Sequence, residues 1–158
     1  MNIEFRKTEK QDCPDIVSLM REFADYEKLS DHCEITEAKL SDALFGDGAF
    51  VESLVAADGD RLIAYALFYP CFASFRGESG FYLEDIFITA DYRGKTVGEA
   101  MLKKIAEIGK SRGYTRIDFQ VLDWNLPAVN FYKKLGAECN ADESHFKFAG
   151  EAFYNLAG

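Results

Sequence analysis

A strand-like segment that runs into a glycine-containing loop and then a helix constrains this chain more than any other feature. Residues 82–88 are rich in aromatic and β-branched side chains, and the loop Arg-Gly-Lys-Thr-Val-Gly follows at 93–98. An apolar stripe at helical spacing then continues to Ile108. Because backbone amides and the positive end of a helix dipole meet at this loop, the order predicts a binding site for a phosphate group.

Composition is typical of one soluble domain, with 158 residues, 48% hydrophobic and 28% charged. No apolar run reaches the roughly 20 residues needed to span a bilayer, and the first residues lack the apolar core of a secretion signal. We therefore expect a single domain over residues 1–158, a cytoplasmic location and no membrane partner. A net charge of −9 disfavours nucleic acid as a partner, since it would repel the phosphate backbone.

Cysteine and histidine usage argues against metal chemistry. The cysteines are scattered without a C-x-x-C pair, and the chain has only two histidines; these residues are Cys13, Cys33, Cys71, Cys139, His32 and His145. We therefore predict no metal site, no redox pair and no Ser-His or Cys-His nucleophile.

Periodicity and turn signals predict the order of the remaining elements. The turn Asp58-Gly59-Asp60 between two apolar segments predicts an antiparallel hairpin. Strands followed by a strand–helix–strand–helix–strand order indicate a mixed α/β sheet. The predicted strands are 3–6, 50–57, 61–69, 80–89, 116–122 and 145–148. The predicted helices begin at Asp12, Thr36, Arg93 and Asn125 and end near Tyr26, Leu44, Lys110 and Leu135.

A second motif at 123–136, Asp-Trp-Asn-x-Pro-Ala-x-Asn-Phe-Tyr-x-x-x-Gly, accompanies the Tyr-Leu-Glu-Asp strand and the loop at 93–98. Together these segments resemble the acetyl-CoA-binding core of the GNAT N-acetyltransferases, most of all the spermidine/spermine and thialysine acetyltransferase branch. Weaker similarity at Tyr26-Glu27 extends the resemblance over nearly the whole chain. It implies a GNAT-like acyl-CoA N-acyltransferase fold, α/β with a central, mostly antiparallel sheet flanked by helices, and acetyl-CoA as co-substrate.

Coenzyme A needs a cradle for its diphosphate and backbone groups for its amide-bearing arm. Arg93 and Lys95 supply charge, while Gly94 and Gly98 let the backbone approach the phosphates. The strand end at 86–88 can pair with the arm as another strand would. The cofactor-binding residues are therefore expected to be Ile86, Phe87, Ile88, Arg93, Gly94, Lys95, Thr96, Val97 and Gly98, with Asn125, Pro127, Asn130 and Lys134 from the second motif.

Some of these assignments have alternatives. Asn125 either bonds the cofactor or only caps a helix, and Lys134 either meets the outer phosphate or is a solvated lysine. Thr96 stands where the family pattern Arg/Gln-x-x-Gly-x-Gly/Ala has its first glycine. A positive φ would hinder close approach there, although the hydroxyl could donate to a phosphate oxygen. We expect weakened or reshaped cofactor binding rather than its loss.

Acetyl transfer to an amine poses two proton problems, since the ammonium must lose a proton and the departing thiolate benefits from gaining one. By resemblance Glu84 is the base, acting directly or through water; otherwise it forms a salt bridge or only attracts the cation. By resemblance Tyr132 is the general acid, and its alternative is a core aromatic residue. These two are the catalytic candidates.

The amine is expected to bind an acidic, aromatic pocket made by Tyr26, Glu27 and Asp85, where charge and cation–π contact attract an ammonium. Alternatively, most of the acids near Glu27 form a solvated face. The loop 72–77 lacks the Asp-x-Trp element of polyamine relatives and adds Arg76. A lysine-like amino acid or a short diamine is therefore favoured over a long tricationic polyamine.

The leading functional hypothesis is an acetyl-CoA-dependent N-acetyltransferase that acts on a small primary amine by direct attack in a ternary complex. One alternative is a CoA-sensing module without catalysis, and another is an enzyme that modifies protein lysines or N-termini. The resemblance also implies a homodimer. The aromatic tail fits such an interface or a monomer core; its residues are Phe146, Phe148, Phe153 and Tyr154.

Overall fold

The computed structural model describes residues 2–158, which form two compact units, one ending at Gln120 and the other beginning at Val121. The first unit contains strands β1 (Ile3–Lys7), β2 (Glu52–Asp58), β3 (Arg61–Ala73), β4 (Glu78–Ile88) and β5 (Arg116–Phe119), with helices α1 (Cys13–Tyr26), α2 (Glu37–Phe45) and α3 (Val97–Ser111). The second contains α4 (Leu126–Lys134) and α5 (Glu151–Ala157).

The single domain over 1–158 stays a prediction. Within 2–158, no helix has the length and apolar character required to traverse a bilayer.

The strands form one sheet in the order β1-β2-β3-β4-β5. Neighbours are antiparallel except for β4 and β5, which are parallel because α3 lies between them in the chain. The expected hairpin is present, since Asp58 pairs with Arg61 across a turn in which Gly59 has φ 60°. The predicted α/β class with a mostly antiparallel sheet flanked by helices is confirmed.

Helices cover both faces of this sheet. Alternate residues of β3 point to opposite sides, so Tyr65 and Leu67 pack with α1 and α2, whereas Ala64, Ala66 and Phe68 pack with α3. We call these two sides the α1 face and the α3 face. Each face has its own apolar core. The polar residues described below lie on β3 and β4, at the strands shared by the two cores.

Side-chain caps are present at two of the predicted helix starts. The Thr36 hydroxyl oxygen accepts a hydrogen bond from the Lys39 amide at 3.2 Å, and Asn125 Oδ1 accepts one from the Ala128 amide at 3.4 Å. Asp12 occupies the position before α1 but does not cap it with its side chain. Its carboxylate instead accepts hydrogen bonds from the Arg6 guanidinium and the Glu9 amide.

Three predicted boundaries or elements are wrong. The helix predicted from Arg93 begins at Val97, because Gly94 and Thr96 have left-handed φ values of 72° and 65° that interrupt helical geometry. The strand at 116–122 ends at Phe119, and 145–148 is not a strand. A strand needs a ladder partner, and within 2–158 the sheet ends at β5. Helix α5 was not predicted.

The Arg6–Asp12 pair is the most buried ion pair that the structure describes, with 8% of the Asp12 side chain exposed. Asp12 accepts hydrogen bonds from Arg6 at 2.7 and 2.9 Å and from the Glu9 amide at 2.7 Å. The bond from Arg6 is the main cause that lowers the pKa of Asp12 below 3.8. The ionised carboxylate therefore stabilises the folded state.

We predict that Asp12→Asn lowers the free energy of unfolding at neutral pH by about 1–3 kcal/mol, because Arg6 loses its charged partner. Urea denaturation measures this difference. Since the folded-state pKa of Asp12 is depressed, the difference is present above about pH 4 and disappears as pH falls through that pKa. The control is Asp15→Asn, an exposed carboxylate in the first turn of α1 that should change stability by less than about 0.5 kcal/mol. Equal losses in both variants would contradict this account.

Candidate active site

Strand β4 contains a β-bulge at Glu84. Leu67 pairs with Asp85, while its neighbour Phe68 pairs with Leu83, so Glu84 is an extra residue without a partner on β3. An extra residue breaks the alternation of side chains along a strand. As a result Glu84 and Asp85, although adjacent, both meet side chains of the α1 face.

Asp85 contacts a buried tyrosine. The Tyr65 hydroxyl, in a residue with no exposed surface, donates a hydrogen bond to Asp85 Oδ2 at 3.0 Å. Burial raises the pKa of Asp85 to about 6, the Tyr65 hydrogen bond opposes that rise, and the charge of Glu84 adds to it. Burial also raises the pKa of Tyr65 well above its usual range, so the phenol stays a donor. Asp85 therefore gains its charge only near neutral pH.

Glu27 lies at the C-terminal end of α1 and is half-buried. Burial is the larger cause that raises its pKa, and the negative charge of Asp85 is the second. Two partly desolvated carboxylates that repel each other favour a cation between or beside them. Asp85 is thus near enough to Glu27 for its charge to raise the Glu27 pKa; both are among the three residues predicted to bind the amine, and that role stays a prediction.

Tyr26, the third, lies against a cation of the protein itself. The Arg93 guanidinium carbon is 4.7 Å from the Tyr26 ring centroid and 5.3 Å from that of Phe87. Arg93 Nε also donates to the Ile88 carbonyl at 3.0 Å. Arg93 therefore ties the end of β4 to the end of α1, and its side chain turns toward these elements.

Glu84 is exposed and accepts a hydrogen bond from the Tyr69 hydroxyl at Oε2, 3.1 Å away. Burial, followed by the charge of Glu84, raises the pKa of Tyr69 to about 12. Sequence reasoning missed Tyr65 and Tyr69. Their spacing on β3 predicts that they share a face of the sheet. Which carboxylate each hydroxyl meets depends on the strand register at the bulge, which places Tyr65 at Asp85 and Tyr69 at Glu84.

The loop before α3 presents unpaired backbone donors. The first helical bond joins the Ala100 amide to the Thr96 carbonyl at 3.0 Å, and Thr96 does not cap the helix with its side chain. The amides of Val97, Gly98 and Glu99 precede that bond, so the helix offers them no acceptor. With the helix dipole, they form an arrangement suited to an anion.

Thr96 adopts the left-handed conformation that its position in the loop requires, with φ 65° and ψ 4°. For a residue with a Cβ this conformation costs roughly 1–2 kcal/mol. The hydroxyl donates to the Lys95 carbonyl at 2.6 Å, so its hydrogen is directed to the protein rather than outward to an anion. Lys95 Nζ lies 5.1 Å from the Tyr92 ring centroid.

The edge of β4 is open beyond its pairing with β5. The parallel ladder joins Gly80–Leu83 to Arg116–Phe119, while β4 continues to Ile88. Within the described chain, 84–88 therefore has no strand partner on the β5 side. Ile86 and Ile88 pack with the α3 core and Phe87 with the α1 core. The backbone edge can pair with an amide-bearing arm.

The predicted residues of the second motif all lie at or within α4. Asn125 is 6% exposed and caps this helix, and Tyr132 is half-buried with its ring 5.2 Å from that of Phe131. Pro127, Asn130 and Lys134 are exposed and share one side of the helix by their i, i+3 and i+7 spacing. Within 2–158 no group of three or more potential ligands is arranged to hold a metal ion.

Comparisons with known proteins assign the family. A sequence model of the acetyltransferase (GNAT) family matches residues 14–137. The thialysine N-epsilon-acetyltransferase of Bos taurus is 38% identical, with 99% of this chain and 98% of that protein covered. The human spermidine/spermine N(1)-acetyltransferase-like protein 1 is 30% identical over 98% of this chain and 24% of its own length.

A solved structure with the same fold comes from the mobile metagenome of V. cholerae. This integron cassette protein superposes with a TM-score of 0.82 at 25% identity and covers 99% of this chain and 98% of its own. The resemblance seen in the sequence is therefore confirmed over nearly the full length. This chain belongs to the GNAT family of N-acetyltransferases, whose acetyl donor is acetyl-CoA.

Proposed function

We propose that this protein transfers the acetyl group of acetyl-CoA to the primary amine of a small cationic molecule, by direct attack in a ternary complex. The observation that supports the choice of amine is a pair of half-buried carboxylates with raised pKa values: the charge of Asp85, beside Glu84 on the bulged strand, helps to raise the pKa of Glu27. Relatives named for thialysine and for spermidine/spermine support the same class of substrate.

The diphosphate of acetyl-CoA fits the loop 93–98. Donors at Val97, Gly98 and Glu99 and the charge of Lys95 favour an anion there, whereas the Arg93 guanidinium lies against Tyr26 and donates to the Ile88 carbonyl. The amide-bearing arm would pair with the open edge of β4 at 86–88. From α4 we propose contacts through Asn125, Pro127, Asn130 and Lys134, with Lys134 at the outer phosphate.

Catalysis needs one proton acceptor and one proton donor. Glu84 would take a proton from the ammonium, directly or through water, and the nitrogen lone pair then attacks the thioester carbonyl. As the carbon–sulfur bond breaks, Tyr132 would give its phenolic proton to the departing sulfur, and the acylated nitrogen would lose its second proton, through water, to restore the phenol and leave a neutral amide. A phenol suits this task because its usual pKa, about 10, keeps it protonated at neutral pH.

Substrate choice follows from charge. Glu27 and Asp85 attract an ammonium, while Tyr26 lines the end of α1 beside them. Arg76 is exposed in the turn between β3 and β4, where it could accept the carboxylate of an amino acid. A lysine-like amino acid or a short diamine therefore suits the site better than a long polyamine.

We also propose a homodimer in the cytoplasm. Large apolar side chains of the second unit are widely exposed, which supports a protein interface; they are Leu126, Phe146, Phe148, Phe153, Tyr154 and Leu156. The four cysteines are unpaired thiols, which supports a reducing compartment.

The test of this function is thiol release from acetyl-CoA in the presence of separate amines: lysine, thialysine, ornithine, short diamines, spermidine and a lysine peptide. We expect release above the amine-free rate with the amino acids or short diamines, and slower release with spermidine. Binding of CoA without amine-dependent release would identify a sensing module instead. Release with the peptide alone would identify an enzyme that modifies proteins.

Thr96→Gly should tighten CoA binding by roughly fivefold, or about 1 kcal/mol, because the left-handed position no longer carries a Cβ and the loop amides become more accessible. Isothermal titration of CoA measures the change. Thr96→Ser is the matched control, since serine keeps both the Cβ and the hydroxyl and should bind as the wild type does. No tightening in Thr96→Gly would mean that the side chain does not hinder the cofactor.

Affinity for the amine should depend on the ionisation of Asp85. Because its pKa is about 6, the carboxylate gains its charge between pH 5 and 7, and the dissociation constant of a diamine should fall about tenfold over that interval. Calorimetry on the CoA-bound protein avoids turnover. Asp85→Asn should flatten the dependence, whereas Asp31→Asn, at an exposed acid, should preserve it. A dependence that survives in Asp85→Asn would assign it to another group.

A further inference from the structure

Tyr69 is held in place by neighbouring rings. It pairs with Tyr82 across the β3–β4 ladder, and the two rings stack with centroids 5.4 Å apart and planes 28° apart. The ring of Phe50 meets Tyr69 edge-on at 5.7 Å and 82°. These contacts fix the direction of the Tyr69 hydroxyl, which donates to Glu84 Oε2.

Apart from the Tyr69 hydrogen bond, few features restrict the conformation of the Glu84 side chain. It is exposed, it is the unpaired residue of the bulge, and a glutamate side chain has several rotatable bonds. A carboxylate that moves among rotamers spends only part of its time where it can accept a proton from a bound ammonium. The bond from Tyr69 occupies one oxygen and leaves the other for the substrate.

We infer, as an extension of the proposed function, that Tyr69 is a positioning residue that orients the Glu84 carboxylate for proton transfer from the amine. Tyr69 touches neither reacting atom, and its effect passes through Glu84. The Tyr69 pKa of about 12 supports this role, because the phenol remains a hydrogen-bond donor at neutral pH.

The test is a double-mutant cycle on the full chain, with the amine that releases thiol fastest. Tyr69→Phe keeps the stacked ring and removes only the hydroxyl. We expect kcat to fall about tenfold, while the KM for acetyl-CoA and the melting temperature stay unchanged. In a Glu84→Ala background the same substitution should change kcat by less than about twofold, because the carboxylate it orients is gone.

The matched control is Tyr82→Phe. It removes a hydroxyl from the ring stacked on Tyr69 and leaves the Tyr69–Glu84 hydrogen bond in place. Its kcat should remain within about twofold of the wild type. A tenfold loss in this variant as well would make the effect one of sheet packing and overturn the inference.

The remaining outcomes separate the two claims. If Glu84→Ala is slow but Tyr69→Phe turns over at the wild-type rate, Glu84 is oriented without Tyr69 and only the inference fails. Equal losses from Tyr69→Phe in both backgrounds would likewise show that Tyr69 acts elsewhere. If Glu84→Ala turns over as the wild type does, Glu84 is not the base, and the catalytic assignment fails together with the inference.

Discussion

The unpaired residue in β4 decides which side chains of that strand lie together. A regular strand would direct Glu84 and Asp85 to opposite faces of the sheet. The bulge instead directs both to the α1 face, where the hydroxyls of Tyr69 and Tyr65 meet them separately. One carboxylate is left exposed and the other is half-buried with a raised pKa. A single backbone irregularity thus gives two adjacent acids different environments, which is what two different tasks require.

The loop before α3 combines an anion-binding backbone with a costly conformation. Thr96 holds a left-handed geometry that glycine adopts freely, and its hydroxyl is used on the Lys95 carbonyl. The amides that follow remain directed out of the helix end. Strain at this point persists because the bond to Lys95 and the packing of Val97 in the α3 core fix the loop on both sides.

Much of the fold could be predicted from local signals, because those signals act over a few residues. The hairpin turn at Gly59 and the caps at Thr36 and Asn125 are of this kind. The bulge could not be predicted, since register is a property of two paired strands and not of the residues of either one. The strand predicted at 145–148 is absent, because a short apolar segment without a ladder partner does not form a strand. Asp12 followed a capping pattern, yet the guanidinium of Arg6 competed for its carboxylate. For the site, the charge of Asp85 helps to raise the pKa of Glu27, whereas the roles of these two acids, of Glu84 and Tyr132, and of the residues around the cofactor remain proposals.

The burial of Asp85 also lowers the stability of the protein without a bound ligand. A carboxyl group whose folded-state pKa lies above its usual value opposes folding; for Asp85, whose pKa is about 6, this cost begins near pH 4, where the unfolded chain ionises, and is complete above about pH 6. A cation bound beside the Asp85 carboxylate would offset this cost and so favour the folded chain by mass action. On the proposed function, the amine substrate would therefore also act as a counterion that stabilises the folded protein until it is acetylated.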